Sequence, residues 1–257
     1  MPVDLEVDAG VAVITLNRPE KLNAMDAEAY AQLSAAWTRV RDDDAIRVAV
    51  ITGAGDRSFT TGADLNSFVG QQKDLTTFWQ TQRGQLLNRG LEMWKPVIAA
   101  VNGYCIGGGM TLLLATDIRF AVPTATFGVA EVRRGVVAGN GGTQRILEQL
   151  PYAVAMDILL TGRNVSAEEA ERWGLINRIV PPEQLMEVAL DTARTIAANA
   201  PLAVQAAKEL ALRSRDVDRA TGLRLEQAMN QVLQYTQDAT EGPAAFREKR
   251  PAQFTGR

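Results

Sequence analysis

Three β-branched, apolar runs in the first hundred residues constrain this chain most: "GVAVITLN" (10–17), "IRVAVITGAG" (46–55) and "KPVIAAVNG" (95–103). Each is short, rich in Val and Ile, and closed by Gly or Asn, which reads as a buried strand. Between the first two lies "MDAEAYAQLSAAWTRVRDD" (25–43), where Asp26 is a good N-cap and apolar residues recur at helical spacing. "TTFWQTQRGQLLNRGLEMW" (76–94) reads as a second helix, weakened by Gly84 and Gly90, and "DIRFAV" (117–122) and "ATFGVA" (125–130) read as short strands. Strands alternating with helices predict an α/β architecture.

After Gly139 the pattern turns helical. "GGTQRILEQLPYAVAMDILLTG" (141–162) reads as helix, and Ser166 with Glu169 forms a capping box for a helix that Gly174 ends. "INRIVPPEQL" (176–185) reads as a brief strand leading into helix. From about 183 to 250 only helices are expected, with breaks at Pro201 and near Gly222. The chain therefore divides into an α/β core over 1–195 and a helical region over 196–257 that packs on the core or on a neighbouring subunit.

Composition matters most through a zero: there is no histidine. A Ser-His-Asp triad, a Cys-His pair and a histidine-based zinc site are all impossible. Proton transfers fall to carboxylates, lysines, tyrosines or water. With 27 Lys and Arg against 30 Asp and Glu, the net charge is −3, which offers no footprint for nucleic acid. A single cysteine, Cys105, excludes an internal disulfide and fits a reducing compartment. No secretory signal is read at the N-terminus, and runs such as "PVIAAV" are too short to cross a bilayer. A cytoplasmic protein that binds neither nucleic acid nor membrane is expected.

The stretch "YCIGGGMTLLLATD" (104–117) places three glycines at the mouth of an apolar run. Glycine there weakens a helix or strand, so its retention points to backbone that must approach something closely. No Lys follows, so this is not a phosphate-cradling loop. Gly53 and Gly55 follow a strand, but Ser58 stands where a dinucleotide fingerprint needs its third glycine.

"LNRPEKLNAMD", "FTTGADL", "KPVIAAVNGYCIGGGM", "ATFGVAEVRRG", "GGTQRI" and "LTGRNVSAEEAERWGLINRIV" together resemble, in order and from residue 3 to the C-terminus, segments of the crotonase (enoyl-CoA hydratase/isomerase) superfamily. The resemblance implies a spiral of ββα units with a C-terminal helical region that builds a homotrimer or a dimer of trimers. It implies an acyl-CoA thioester as substrate, with coenzyme A part of that substrate and no other cofactor or metal. Two backbone N–H groups would hold the thioester oxygen as it becomes an enolate oxyanion: Ala63 in "TGAD" and Gly108 in the triple glycine. The start of the helix that follows favours negative charge there.

Family hydratases use two glutamates. By motif, Thr111 stands in the place of the first and Glu131 in the place of the second. Thr111 either back-bonds to a carbonyl one turn earlier or holds a water or substrate hydroxyl; it is no carboxylate base. Glu131 read alone is a solvated partner of Arg133 or Arg134. Read through the resemblance it is the acid/base, with its pKa raised by the apolar "ATFGVA" beside it. Gly139 matches the plain hydratase pattern, in which backbone helps hold the water, and Asn140 cannot serve as a dehalogenase nucleophile. For the CoA portion the resemblance implies Lys21, Leu22 and Ala24, then Thr61, Asp64 and Leu65, with Phe246 and Lys249 reaching the CoA of a neighbouring subunit. The implied activity is enoyl-CoA hydration or isomerisation with one catalytic glutamate. "DATEGPAAFREKRPAQFTGR" resembles the tail of carnitinyl-CoA dehydratase-like members, which adds 3-hydroxyacyl-CoA dehydration as an alternative, beside a catalytically weakened CoA-thioester-binding homologue.

Overall fold

The computed structural model describes residues 1–68, 85–89 and 91–257. Strands β1 (Val3–Asp8) and β2 (Val11–Leu16) form an antiparallel hairpin closed by Ala9 and Gly10, both at positive φ. Helix α1 (Ala27–Asp42) follows, capped by the Asp26 carboxylate on the Ala29 amide. Next come β3 (Val48–Gly53), β4 (Ser58–Thr60), the single turn α2 (Leu65–Phe68), β5 (Val97–Val101), β6 (Tyr104–Ile106), α3 (Gly108–Leu113), β7 (Ile118–Ala121) and β8 (Thr126–Gly128).

Each strand pair β3–β4, β5–β6 and β7–β8 sends its first member to one sheet and its second to another. The large sheet runs β1-β2-β3-β5-β7-β10, where β10 is Arg178–Ile179, and it is parallel from β2 onward. The small sheet runs β4-β6-β8-β9, where β9 is Asn164–Ser166. Repeating one strand per sheet winds the chain into a spiral. Every residue of β3 and β5 is buried, because a parallel sheet in the middle of such a spiral is covered on both faces.

Helices α4 (Gly142–Gln149), α5 (Tyr152–Thr161) and α6 (Ala167–Arg172) precede β10, and α7 (Leu185–Ala197) lays Leu185, Ala189, Ala193 and Ala197 against the large sheet. The capping box between Ser166 and Glu169 is present, and Gly174 follows that helix at positive φ. The stretch 141–162 is helical, as two helices. Leu150, forced out of helical space by the proline after it, is extended and separates them at Pro151.

Two expectations are corrected. Within 76–94, residues 85–89 form a turn with Leu86 and Arg89 bonded through their backbones, and 91–94 contain no helix; residues 76–84 and 90 lie outside the described residues. Leu86, Leu87, Leu91 and Met93 are all buried. The break expected near Gly222 falls at 214–218. Gly222 lies inside α9 (Arg219–Leu233), whose start is set by the Asp218 cap on Thr221.

Pro201 opens α8 (Pro201–Arg213) at a position where its missing N–H is harmless. Helix α10 (Gln237–Glu248) ends the helical region, and the buried Asp238 carboxylate accepts from the Thr255 and Gly256 amides. Arg47, just before β3, donates to the carbonyls of Ala197 and Phe254 and pins the tail to the start of that strand. Among the described residues no helix is long and apolar enough to cross a membrane.

Candidate active site

Residues 60–63 and 106–109 meet where β4 and β6 end. Met25 forms a parallel bridge with Ala63, in which the Met25 amide donates to Gly62 and the Met25 carbonyl accepts from Asp64. That pattern uses the groups on either side of Ala63 and turns the Ala63 N–H the other way, toward α3. Gly108 is the first residue of α3, so its N–H has no partner within the helix. A Cβ built on Gly108 would lie 3.5 Å from the Ala63 nitrogen. The two amides converge on one spot, and among the described residues neither has a recorded acceptor.

Glycine is required here for two separate reasons. Gly62 has φ of +84°, and a Cβ on it would stand 2.4 Å from the Gly108 nitrogen. At Gly109 a Cβ would stand 2.3 Å from the Thr60 carbonyl oxygen, so the helix start could not pack on β4. The helix begins within the triple glycine, not after it: Gly107 is its N-cap.

Glu131 opens a 3₁₀ turn, Glu131–Arg134, directly after β8. Its carboxylate faces the oxyanion loop, with Oε1 3.5 Å from the place a Gly107 Cβ would occupy. Oε2 is buried and, among the described residues, has no hydrogen-bond partner. Burial raises the Glu131 pKa above the ordinary carboxylate value; its hydrogen bond to its own backbone and the Arg134 charge oppose that rise without cancelling it. Arg133 and Arg134 hydrogen-bond to the carbonyls of Thr161 and Ala130, not to this carboxylate. The solvated ion-pair reading of Glu131 therefore fails on geometry.

Thr111 lies one turn into α3, 3% exposed. Its hydroxyl donates to the Gly108 carbonyl at 2.9 Å and accepts from Asn88 Nδ2 at 3.3 Å. Both bonds are internal, so the back-bonding reading is the one its geometry supports. Thr111→Val keeps the shape and removes the hydroxyl, leaving the Asn88 amide and a helix carbonyl less satisfied. Chemical denaturation is expected to show a loss on the order of 1–3 kcal/mol. A hydroxyl essential to turnover would instead show itself as a drop in kcat at unchanged stability.

A groove of about 420 Å³ runs beside these groups, lined by Leu22, Thr61, Tyr104, Ile106, Arg133 and Arg134, among others. Ile106 immediately precedes Gly107, and Ala130, also in the lining, immediately precedes Glu131. Leu22 and Thr61 are thus brought to the site. Lys21 is exposed on the same turn, and the Ala24 carbonyl accepts from Arg18. The Asp64 carboxylate pairs with Arg18 at 3.3 Å, which holds this loop, and Leu65 is half exposed. Gly139 is exposed, and a Cβ there would meet nothing within 4 Å, so steric need does not explain this glycine. Phe246 and Lys249 are not brought to the site of their own subunit. Phe246 is 85% exposed on α10, whose tail docks at the start of β3, away from the Gly53 end that abuts Ser58 and Phe59.

Three residues escaped sequence reasoning. Asn23, buried at positive φ, donates to the Ala54 and Ser58 carbonyls and accepts from the Arg18 amide, clamping the Leu22 turn onto β4. Asn88 reaches Thr111 across 23 positions of sequence. The Tyr30 hydroxyl lies 3.4 Å from the Cβ position of Gly108. None carries a local signal, because each role depends on a partner distant in sequence.

Chemically, two converging amides beside a half-buried, proton-hungry carboxylate suit the formation of an enolate. The comparisons with known proteins agree. The model of the enoyl-CoA hydratase/isomerase family matches residues 6–257. The chain is 44% identical over 256 residues to (E)-benzylidenesuccinyl-CoA hydratase of Thauera aromatica, with 100% of each covered, and 40% identical to carnitinyl-CoA dehydratase of Salmonella arizonae, covering 95% of this chain and 94% of that one. The crystal structure of enoyl-CoA hydratase from Bacillus anthracis superposes with a TM-score of 0.91 at 33% identity, covering 100% of both chains. This chain belongs to the enoyl-CoA hydratase/isomerase family of enzymes and has its crotonase-type spiral fold.

Proposed function

We propose that this enzyme adds water across the double bond of a 2-enoyl-CoA thioester, with Glu131 as its one acid/base and the Ala63 and Gly108 amides as its oxyanion hole. The observation that carries this reading is the buried, unpartnered Glu131 Oε2 beside the amide pair. Glu131 takes a proton from water as the oxygen bonds to C3, and the electron pair of the C2–C3 double bond moves onto the thioester oxygen. The two amides hold that charge without reorganising. The protonated Glu131 then returns its proton to C2. The same groups run the reverse dehydration of a 3-hydroxyacyl-CoA, the direction named for one relative. A single carboxylate also suffices to move a proton between C2 and C4, which is isomerisation.

Thr111 holds the start of α3 in this account, and Gly139 offers backbone on the water side. The CoA portion lies along Lys21, Leu22, Ala24, Thr61, Asp64 and Leu65, with the groove arginines Arg133 and Arg134 suited to phosphate. No metal takes part, and the buried thiol Cys105 fits a reducing cytoplasm. Incubation with crotonyl-CoA and, separately, with a 3-enoyl-CoA tests the reading. Hydration of the first is expected; absence of turnover on both would overturn it.

We also propose that residues 196–257 form an association region, because α9, α10 and the turn between them expose Leu223, Val232, Tyr235 and Phe246. A trimer or dimer of trimers would bring Phe246 and Lys249 to the CoA of a neighbour. Light scattering is expected to give three or six times the 27.9 kDa of one chain. A stable monomer at micromolar concentration would contradict it.

A further inference from the structure

Arg145, half-buried on α4, directs its guanidinium at backbone. Its Nη1 donates to the Asn140 carbonyl at 3.1 Å and to the Asn88 carbonyl at 3.2 Å. Among the described residues no carboxylate forms an ion pair with it. Glu148, whose charge acts on Arg145, pairs with Arg215 at 2.6 Å. One side chain thus ties together two backbone segments that are far apart in sequence.

Both segments lead to the active site. Asn88 Nδ2 donates to the Thr111 hydroxyl, which donates to the carbonyl of Gly108, the first residue of α3. Asn140 belongs to the stretch 135–141 that joins the Glu131 turn to α4. The start of α4 packs directly on α3, since a Cβ on Gly142 would stand 2.5 Å from Thr111 Cγ2. Arg145 therefore closes a ring that runs from Asn140 through Asn88 and Thr111 to the helix whose first amide belongs to the oxyanion hole.

The backbone that Arg145 holds has an unusual shape. Asn140 has φ of +55° and Gly141 of +81°, two left-handed residues in succession. Such a conformation at a residue other than glycine persists where its surroundings fix it. All four carbonyls of 138–141 are engaged. Ala138 accepts from the Thr143 hydroxyl, Gly139 from the Gly142 amide, Asn140 from the Arg145 guanidinium and Gly141 from the Arg145 amide. The amides of Gly139 and Asn140 meet no acceptor among the described residues, and both residues are exposed. The open face of this stretch therefore offers donors. An N–H donor suits an attacking water: it occupies one lone pair and leaves the other for C3 and a proton for Glu131.

We propose that Arg145 is a positioning residue for the attacking water. By holding the Asn140 carbonyl to the Asn88 turn, it fixes the Gly139 and Asn140 amides relative to α3 and the Gly108 amide. Water and thioester oxygen are then held on one frame. This rests on the hydratase reading, in which the Gly139 backbone lies on the water side. Arg145 touches neither reactant. Its loss should spare proton abstraction at C2, which needs Glu131 and the amide pair alone.

Two assays separate these steps. Hydration of crotonyl-CoA needs the positioned water. Exchange of the C2 protons of butyryl-CoA in D2O does not: Glu131 takes a proton from C2, the enolate rests on the amide pair, the carboxyl proton is replaced from solvent and a deuteron returns to C2. Arg145→Gln is expected to lower kcat for hydration about 10- to 100-fold, the scale of a misplaced reactant, with KM and the exchange rate within about threefold of wild type. Arg145→Lys keeps the charge but loses the planar fork, so it should show a smaller loss of hydration with exchange again spared. It decides by the same ratio if Arg145→Gln does not fold. Unchanged hydration, or hydration and exchange lowered by the same factor, overturns the inference and leaves the hydratase reading standing. Wild type that does not hydrate crotonyl-CoA overturns both.

Discussion

Replacing Glu131 by glutamine is expected to lower kcat by about 10³–10⁴, near the top of what one general acid–base group contributes, and to raise the melting temperature at pH 7. The two effects share a cause. Glu131 takes the proton from water and returns it to C2, so the amide variant loses both steps. The same carboxylate is desolvated, with Oε2 unpartnered, and its pKa in the folded state lies above the unfolded value. A raised folded pKa means that the stability this group contributes is fully present below the unfolded pKa and is lost as pH rises through the folded one. Above the folded pKa the folded protein therefore carries an unfavourable buried charge, which glutamine removes. At pH 4 the carboxyl is largely protonated in both states, and the advantage of the variant should shrink. Thermal melts at the two pH values check this. A variant less stable than wild type at pH 7 would mean that the carboxylate has a stabilising partner.

Gly62→Ala is expected to reduce kcat/KM by about 10²–10³, the loss seen when one oxyanion donor is removed. The new methyl would stand 2.4 Å from the Gly108 nitrogen, so the two strands of backbone must part and both amides lose their aim. Backbone strain at φ of +84° adds a stability loss on the order of 1–3 kcal/mol. Gly174→Ala separates the two effects. Gly174 has φ of +76°, and a Cβ there meets nothing within 4 Å. It should lose comparable stability and keep its turnover. Equal activity losses in the two variants would show that general destabilisation, not displacement of the amides, is being measured.

Strands β3 and β5 were legible because the spiral covers them on both faces, which leaves uninterrupted apolar runs in the sequence. The Asp26 and Ser166 caps were legible because a cap is a local interaction. Strands β4, β6 and β9, three residues each, are too short to show a period. Residues 85–89 and 91–94 misled because buried leucines there seat a turn and a non-helical lead-in to β5, and contacts with the rest of the core, not helical periodicity, decide their burial. At the site, "TGAD" and the triple glycine marked the two amides, while the inward turn of Glu131 and the contacts of Asn23, Asn88 and Tyr30 depend on residues brought together only by the fold.

The pH dependence of kcat/KM tests the central claim most directly. With no histidine in the chain, no unperturbed side chain ionises between pH 5 and 8. The buried Cys105 thiol is pushed well above its ordinary value and stays neutral in that range. Using a pantetheine thioester in place of the CoA thioester removes the ionising phosphates of the substrate. Under those conditions the account predicts one acid limb of unit slope, centred above the ordinary carboxylate range, from deprotonation of Glu131 in the free enzyme. A profile that is flat from pH 4 to 8, or an acid limb of slope two, would contradict a mechanism carried by this single carboxylate.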